Sequence, residues 1–251
     1  MKRTLVLVLL LALSVTVPST ADVLVEGWDF SALDELVPAY QKLSTQIDKL
    51  LIEHNRQFEP IELNGDDKGT LKDIVIPMAP ARITIKGRVG ATFKGNNYEK
   101  HIKHPEGFDE HVDVLTQSGV YDVEVMHRYS NKQAWSITIE PLKNVGLVKQ
   151  SGFGVYFSDL FTLPEDISVR FIATAKKMWN RKEPAELYLY YFDEEIDAWS
   201  NILVSDGHVD SQQVPHRYED TVKIDQIKQG AMCFWGIWAY PGLEWGIYPL
   251  K

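Results

Sequence analysis

Cysteine is nearly absent, since the 251 residues hold only Cys233. One thiol cannot close a bridge within the chain, so a disulfide-stapled scaffold is excluded, as is a zinc site built on several thiolates. Basic residues are also in deficit, 26 Lys and Arg against 35 Asp and Glu, for a formal net charge of −9. That balance argues against a nucleic-acid surface, which needs a basic stripe to neutralise phosphates. Motifs of catalysis are missing too. There is no glycine loop to cradle a phosphate, no HExxH helix for zinc and no strand-to-helix elbow around a nucleophilic serine. Apolar runs are short, and the longest, Thr4 to Val17, falls below the length of an ordinary spanning helix.

That run follows the basic start Met1-Lys2-Arg3 and precedes Pro18-Ser19-Thr20-Ala21. A charged start, a short apolar stretch and small residues at Ser19 and Ala21 predict a secretory signal over residues 1–21, cleaved before Asp22. An uncleaved anchor is the alternative. The expected compartment is therefore outside the cytoplasm (secreted, periplasmic or extracellular), with no membrane attachment after cleavage. In such a compartment Cys233 is either a buried, inert thiol or one half of an intermolecular disulfide. With 45% hydrophobic and 11% aromatic residues, the chain has enough apolar surface to fold.

Residues 22–59 form an N-terminal segment in which an amphipathic helix is predicted over 31–58. Ser31 and Asp34 are spaced almost as in a capping box, and Asp34 and Glu35 put negative charge in the first turn. Pro38 kinks that first turn or opens a separate helix. Leu33, Leu36, Tyr40, Leu43, Ile47 and Leu50 follow an a/d spacing, widened by Val37 and Leu51. The stripe either packs on the domain that follows or forms a coiled-coil neck that makes homo-oligomers.

Beyond Pro60 the helical period gives way to short β-branched and aromatic runs between Gly and Pro, and these runs recur. Lys72-Asp73-Ile74-Val75-Ile76-Pro77 is matched by Ser158-Asp159-Leu160-Phe161-Thr162-Leu163-Pro164. Arg82-Ile83-Thr84-Ile85 is matched by the run Ser168 to Ile172, and Phe108 to Val114 by Tyr218 to Ile224. Gly119 and Gly230 each lead into an aromatic strand and then a closing strand headed by Trp135 or Trp245, sixteen and fifteen positions on. The second copy carries an additional pair of strands, Glu186 to Phe192 and Ala198 to Val204, turning at Asp193 to Asp197. The first copy lacks this pair or keeps a reduced form around Ala91-Thr92-Phe93. The chain is thus expected to be all-β, with two tandem antiparallel β-sandwich, jelly-roll-like domains (60–145 and 150–251) preceded by one α-helix.

An entry strand ending in Pro, a β-rich body and a closing Gly-aromatic strand followed by Trp-x-Ile resembles the secreted β-sandwich modules called pre-peptidase C-terminal domains. It is also similar to carbohydrate-binding jelly rolls. The resemblance spans 69–142 and 152–250, and it implies accessory binding or structural modules of extracellular proteins.

The repeat also suggests which residues face outward. Counted from Gly119, Tyr121, Val123 and Val125 fall on one face and the acids Asp122 and Glu124 on the other. Transferred to Gly230, this register places Met232, Phe234, Gly236 and Trp238 inside and Cys233, Trp235 and Ile237 outside. An outward Trp235 beside Ile237 would be a ligand platform, a domain interface or an oligomer contact, unless a β-bulge breaks the register. Five of the seven Trp lie in the second copy, and Trp199, Tyr190 and Tyr240 complete the candidate ligand-binding set.

Two clusters have the chemistry of metal ligands. His101 and His104 with Asp109 and His111 bring imidazoles and carboxylates close in sequence, suited to a divalent transition metal. Asp206, His208 and Asp210 alternate, so an extended segment would put them on one side, suited to calcium or another divalent cation. Asp193, Glu195 and Asp197 repeat that spacing at the hairpin tip. Solvated loops and turns explain all three groups better than a metal does, so no cofactor is expected, with calcium or another divalent cation as the alternative.

The sequence therefore predicts an exported, non-catalytic binding or structural protein that engages a glycan or protein partner at the cell exterior mainly through the second copy. The alternatives are a secreted hydrolase using a carboxylate pair or a divalent metal, and an architectural subunit of a surface assembly.

Overall fold

Alternation of apolar and polar residues dominates the strands, and it sorts side chains between a core and an outer face with a period of two. In a computed structural model, residues 42–43, 46–48, 50, 58–96, 98–103, 109–127, 134–175, 182–210 and 216–250 are described. The signal at 1–21, the segment 22–41 and His104 lie outside them. The first set of strands is β1 (Ile61–Gly65), β2 (Gly69–Ile76), β3 (Ala81–Lys86), β4 (Val89–Lys94), β5 (Glu99–Ile102), β6 (Glu110–Leu115), β7 (Gly119–His127) and β8 (Trp135–Pro141). The second set is β9 (Gln150–Phe153), β10 (Tyr156–Phe157), β11 (Phe161–Thr162), β12 (Ser168–Ala175), β13 (Lys182–Asp193), β14 (Ala198–Asp210), β15 (His216–Lys223), β16 (Met232–Ala239) and β17 (Leu243–Leu250).

The first set forms sheets β1-β8-β3-β6 and β2-β7-β4-β5, and the second forms β9-β17-β12-β15 and β10-β16-β13-β14, with β11 also on β16. Strands therefore pair in nested fashion, first with last and inward to the β4–β5 and β13–β14 hairpins. This nesting, with the two sheets of each set sharing one core, is the jelly-roll sandwich. The fold is all-β and tandem, as the repeated segments predict. The β4–β5 hairpin is the reduced counterpart of the long β13–β14 hairpin, whose turn falls between Asp193 and Ala198.

Each sandwich is pinned by the same device. Trp135 lies opposite Gly65 and Trp245 opposite Gly152, on the edge strands β1 and β9. A Cβ at Gly65 would lie 2.4 Å from the Trp135 ring, and one at Gly152 2.7 Å from the Trp245 ring, so each indole lies flat on a bare backbone. Trp135 Nε1 donates to the Asp67 carbonyl and Trp245 Nε1 to the Gly154 carbonyl, each two residues past the glycine and each at 2.9 Å.

Between the sandwiches lies a third apolar cluster made of Met78, Val114, Leu142, Phe157, Leu160 and Phe234. It joins the outer face of β3-β6-β8 to the outer face of β10-β16-β13. Burial of each large side chain there contributes about 1.5–3 kcal/mol. Arg82 on β3 crosses the seam. Its Nε and Nη2 donate to the Phe157 carbonyl at 3.1 and 2.9 Å, Nη1 to Glu140 at 2.8 Å and Nη2 to Asp159 at 3.2 Å. The connecting segment is stitched to the second sandwich as well, with Leu160 N donating to Lys143 O and Val145 N to Leu160 O. Residues 40–251 accordingly form one unit.

Among the described residues of the predicted helix, Leu43, Ile47 and Leu50 are exposed and Asp48 is buried. Leu43, Ile47 and Leu50 of the predicted stripe therefore do not pack on the first sandwich, contrary to the expectation for those three residues, and the contact described there is made by Asp48. Asp48 accepts hydrogen bonds from the Ser118 hydroxyl and from the backbone amides of Ser118 and Ala79. These donors hold the helix at the tips of two loops, while Gln46 and Lys42 reach Asp197 at the hairpin tip of the second sandwich. Asp197 is thereby engaged with the helix.

Two predictions follow from these contacts. Arg82→Ala should lower the stability of the protein by about 2–3 kcal/mol, because it strands the Phe157 carbonyl and two carboxylates. Urea titration would register the loss as a lower midpoint, and an unchanged midpoint would mean that the apolar cluster alone sets the seam.

Burial raises the Asp48 carboxyl from its ordinary 3.8 to about 7, against the lowering effect of its three donors. Asp48 in turn raises the Tyr121 hydroxyl, after burial and Tyr98. Because the docked state prefers the proton, docking is strongest below about pH 4 and weakens as pH rises through 7. Hydrogen exchange of the Ser118 and Ala79 amides should be slower at pH 5 than at pH 8 after correction for intrinsic rates. Asp48→Asn should remove the difference.

Candidate functional site

Register decides which aromatic residues can meet a ligand. Gly119 is itself paired in its strand, opposite Ile76, whereas Gly230 sits in the turn before β16, at φ +81°. The first inward residue is therefore two positions after Gly119 (Tyr121) but three after Gly230 (Cys233). That odd difference exchanges the two faces.

Trp235 and Ile237 are consequently 0% exposed, in the core of the second sandwich, and their expected role as an outward patch is corrected. The Trp235 ring packs on Phe161 with centroids 5.3 Å apart, and its backbone amide donates to Ser158 Oγ. Its indole N–H has no hydrogen-bond partner among the described residues. Cys233 is buried beside them, with its thiol pushed up to about 12 by burial. Tyr240 is half-buried against the same core.

The face that points away from that core carries the other set. Across β16, β13 and β14 it reads Trp238, Glu186, Asp206 in one row, then Gly236, Tyr188, Leu203, then Phe234, Tyr190, Asn201. Leu187, Leu189 and Tyr191 point the opposite way, inward, so the alternation of β13 builds the face. The first sandwich covers one side of it. Phe234 is buried in the seam, Tyr190 stacks on Phe234 with centroids 4.7 Å apart and planes 6° from parallel, and Trp199 leans on Phe234 and Phe192. Tyr190 and Trp199 of the candidate set thus form part of the seam, half-buried.

The other side of the face remains open. Trp238 is 38% exposed and Leu203 47%, with Tyr188, Glu186, Asn201 and Asp206 between and around them. Gly236 lets the rings converge, because a Cβ there would lie 2.6 Å from Tyr190 and 3.0 Å from Phe157. Trp238 meets Phe157 edge-on at 6.1 Å, and its indole hydrogen bonds to the Tyr190 hydroxyl. The indole is therefore held at a fixed angle while part of its surface meets solvent.

Carboxylates set the electrostatics. The Tyr188 hydroxyl donates to Glu186 at 2.9 Å, and its titration is raised by burial first and then by Glu186 and Asp206. Tyr190 is pushed up to about 12, mainly by burial and next by Asp113 of the first sandwich. Asp113 is itself buried and ion-paired with Lys100 at 2.9 Å, bridging β5 and β6. Burial raises its carboxyl and Lys100 pulls it back down.

Among the described residues the members of the predicted metal clusters are not gathered at one point. His101 is exposed on β5, its Nδ1 3.0 Å from the Thr92 hydroxyl, whereas His111 is buried in the first sandwich and Asp109 is exposed beside Arg88. Asp206, His208 and Asp210 do share one face of β14, as their spacing predicts, but consecutive members stand about 6.6 Å apart along the strand. On β15, His216 Nδ1 accepts from the Asp210 backbone amide. Among the described residues no group of three His, Cys, Asp or Glu could hold a metal ion.

Tyr188, Glu186, Trp238 and Arg82 were not among the sequence candidates. The alternation Glu186-Leu187-Tyr188-Leu189-Tyr190 carries a signal for the first two. Arg82 carries none, because its partners lie more than fifty residues away.

No family profile matches the sequence, and no curated protein does. Among solved structures the chain is similar to the N-terminal CBM22-1-CBM22-2 tandem domain of Paenibacillus barcinonensis Xyn10C, at 8% identity and a TM-score of 0.26, over 78% of this chain and 79% of that one. It is also similar to the stem and receptor-binding domain of the spike protein P1 of bacteriophage PM2, at 8% identity and a TM-score of 0.25, over 77% of this chain and 97% of that one.

The register finding separates two tryptophans by experiment. Trp235→Ala should cost about 3–5 kcal/mol by emptying a filled core, while Trp238→Ala should stay within about 1 kcal/mol. Thermal or denaturant unfolding of the two variants would show the contrast, and equal losses would contradict the assigned faces.

Proposed function

We propose that the protein is an exported, non-catalytic glycan-binding protein whose ligand lies on the open face of β16-β13-β14. The observation that carries this reading is Trp238, a ring held at a fixed angle by Phe157 and Tyr190 yet open to solvent on the sheet face. Aromatic rings stack on the apolar faces of sugars, and polar groups set around them receive the hydroxyls. Here those groups are Tyr188, Glu186, Asn201 and Asp206. Leu203 extends the apolar surface. Export is supported by the basic start and short apolar run of residues 1–21.

The hydrolase alternative is less well supported. Glycoside hydrolysis places two carboxyl groups on either side of the scissile bond. Glu186 and Asp206 instead stand side by side on one open face, as cross-strand neighbours.

Binding of the exported protein to a panel of immobilised glycans tests the reading. At least one glycan should be retained, and Trp238→Ala should weaken that retention by about tenfold or more while leaving the unfolding midpoint in place. Retention untouched by Trp238→Ala would overturn the assignment, as would a panel with no binding.

A further inference from the structure

Glu186 and Asp206 are direct cross-strand partners on the same face of β13 and β14. Like charges in that position repel one another and destabilise a sheet. Neither is ion-paired among the described residues. Glu186 accepts one hydrogen bond, from the Tyr188 hydroxyl, and Asp206 is exposed. The basic side chain next along β14, His208, stands one rung further, opposite Pro184. On its other side Glu186 is paired with Trp238 on β16, so the row offers an indole and two carboxylates to whatever lies over it. An aromatic ring attracts a cation through its negative face, and two carboxylates do so more strongly. The same row repels an anionic ligand, and a neutral one leaves the repulsion between the carboxylates in place.

We propose that the ligand of this face is an amine-bearing glycan, whose ammonium group is received between Glu186 and Asp206 while its ring lies against Trp238. The proposal rests on the glycan-binding reading and adds to it a charge. The match is one of charge complementarity: the row holds two negative charges uncompensated among the described residues, and the whole chain carries a formal net charge of −9. The raised Tyr188 hydroxyl reports the same negative field, since both carboxylates contribute to it.

The test compares a fully deacetylated glucosamine tetrasaccharide with its N-acetylated counterpart by titration calorimetry on the full chain, at low and at high salt. The deacetylated ligand should bind about tenfold more tightly at low salt, with the preference shrinking as salt screens the charges. The double variant Glu186→Gln/Asp206→Asn should erase the preference, weakening the deacetylated ligand about tenfold more than the acetylated one. Trp238→Ala should weaken both. Equal affinity for the two ligands in the natural chain would overturn the ammonium assignment and leave the glycan reading standing. Binding of neither would overturn the ammonium assignment, and the glycan reading would then stand or fall on the panel. A calcium titration serves as the second measurement, and calcium binding that the double variant abolishes would reassign the pair to a metal and overturn the proposal.

Discussion

Arg82 fixes the relation on which the rest of the molecule depends. Its guanidinium spends four hydrogen bonds on both sides of the seam, two of them on a single backbone carbonyl in β10. A planar, permanently charged group suits this position because it satisfies a carbonyl and two carboxylates at once. The apolar cluster beneath supplies burial without direction, and Arg82 supplies the direction. Together they bring the outer face of one sandwich onto half of the outer face of the other. Tyr190, Phe234 and Phe157 become seam residues as a result. Trp238, one row away, is left partly open and yet held by its neighbours.

The two copies keep the same nested pairing and the same Trp-on-Gly peg, and they differ in what they place on one sheet. In β4 and β7 the outward positions are Gly90, Thr92, Lys94, Val120, Asp122, Glu124 and Met126, with Lys94 ion-paired to Glu124. The corresponding positions of β13 and β16 hold Glu186, Tyr188, Tyr190, Phe234, Gly236 and Trp238. The longer hairpin adds area to the same sheet, and its tip meets the helix through Asp197. Features that hold each sandwich together are shared, whereas the row of outward aromatic residues, among the described residues, lies in the second.

Much of the fold is legible in the sequence, because a period of two, turn residues and a repeated order of segments are local signals. Internal comparison also locates the extra hairpin and its turn. What the comparison misreads is parity. A glycine inside a strand and a glycine before a strand look alike in sequence, yet the difference of one residue moved Trp235 from the surface to the core and Trp238 the other way. The Gly65 and Gly152 partners of the two pegs are equally hidden, since an edge glycine shows no local sign of the ring that covers it. Asp48 illustrates a third limit. A hydrophobic pattern predicts which residues of a helix are apolar, but the buried contact of this one is a carboxylate held by three donors at the loop tips, with Leu43, Ile47 and Leu50 left exposed.

The seam has a consequence for valency. Tandem binding modules commonly gain avidity because two similar sites engage one polymer, raising the effective concentration of the second contact. Here duplication supplied a platform instead. Among the described residues the first sandwich presents no Phe, Tyr or Trp on the sheet equivalent to the Trp238 face, and it covers part of that face in its sibling. On the proposed reading each chain would offer one such face among its described residues, so any gain from multiple contacts would come from how densely the chains are displayed.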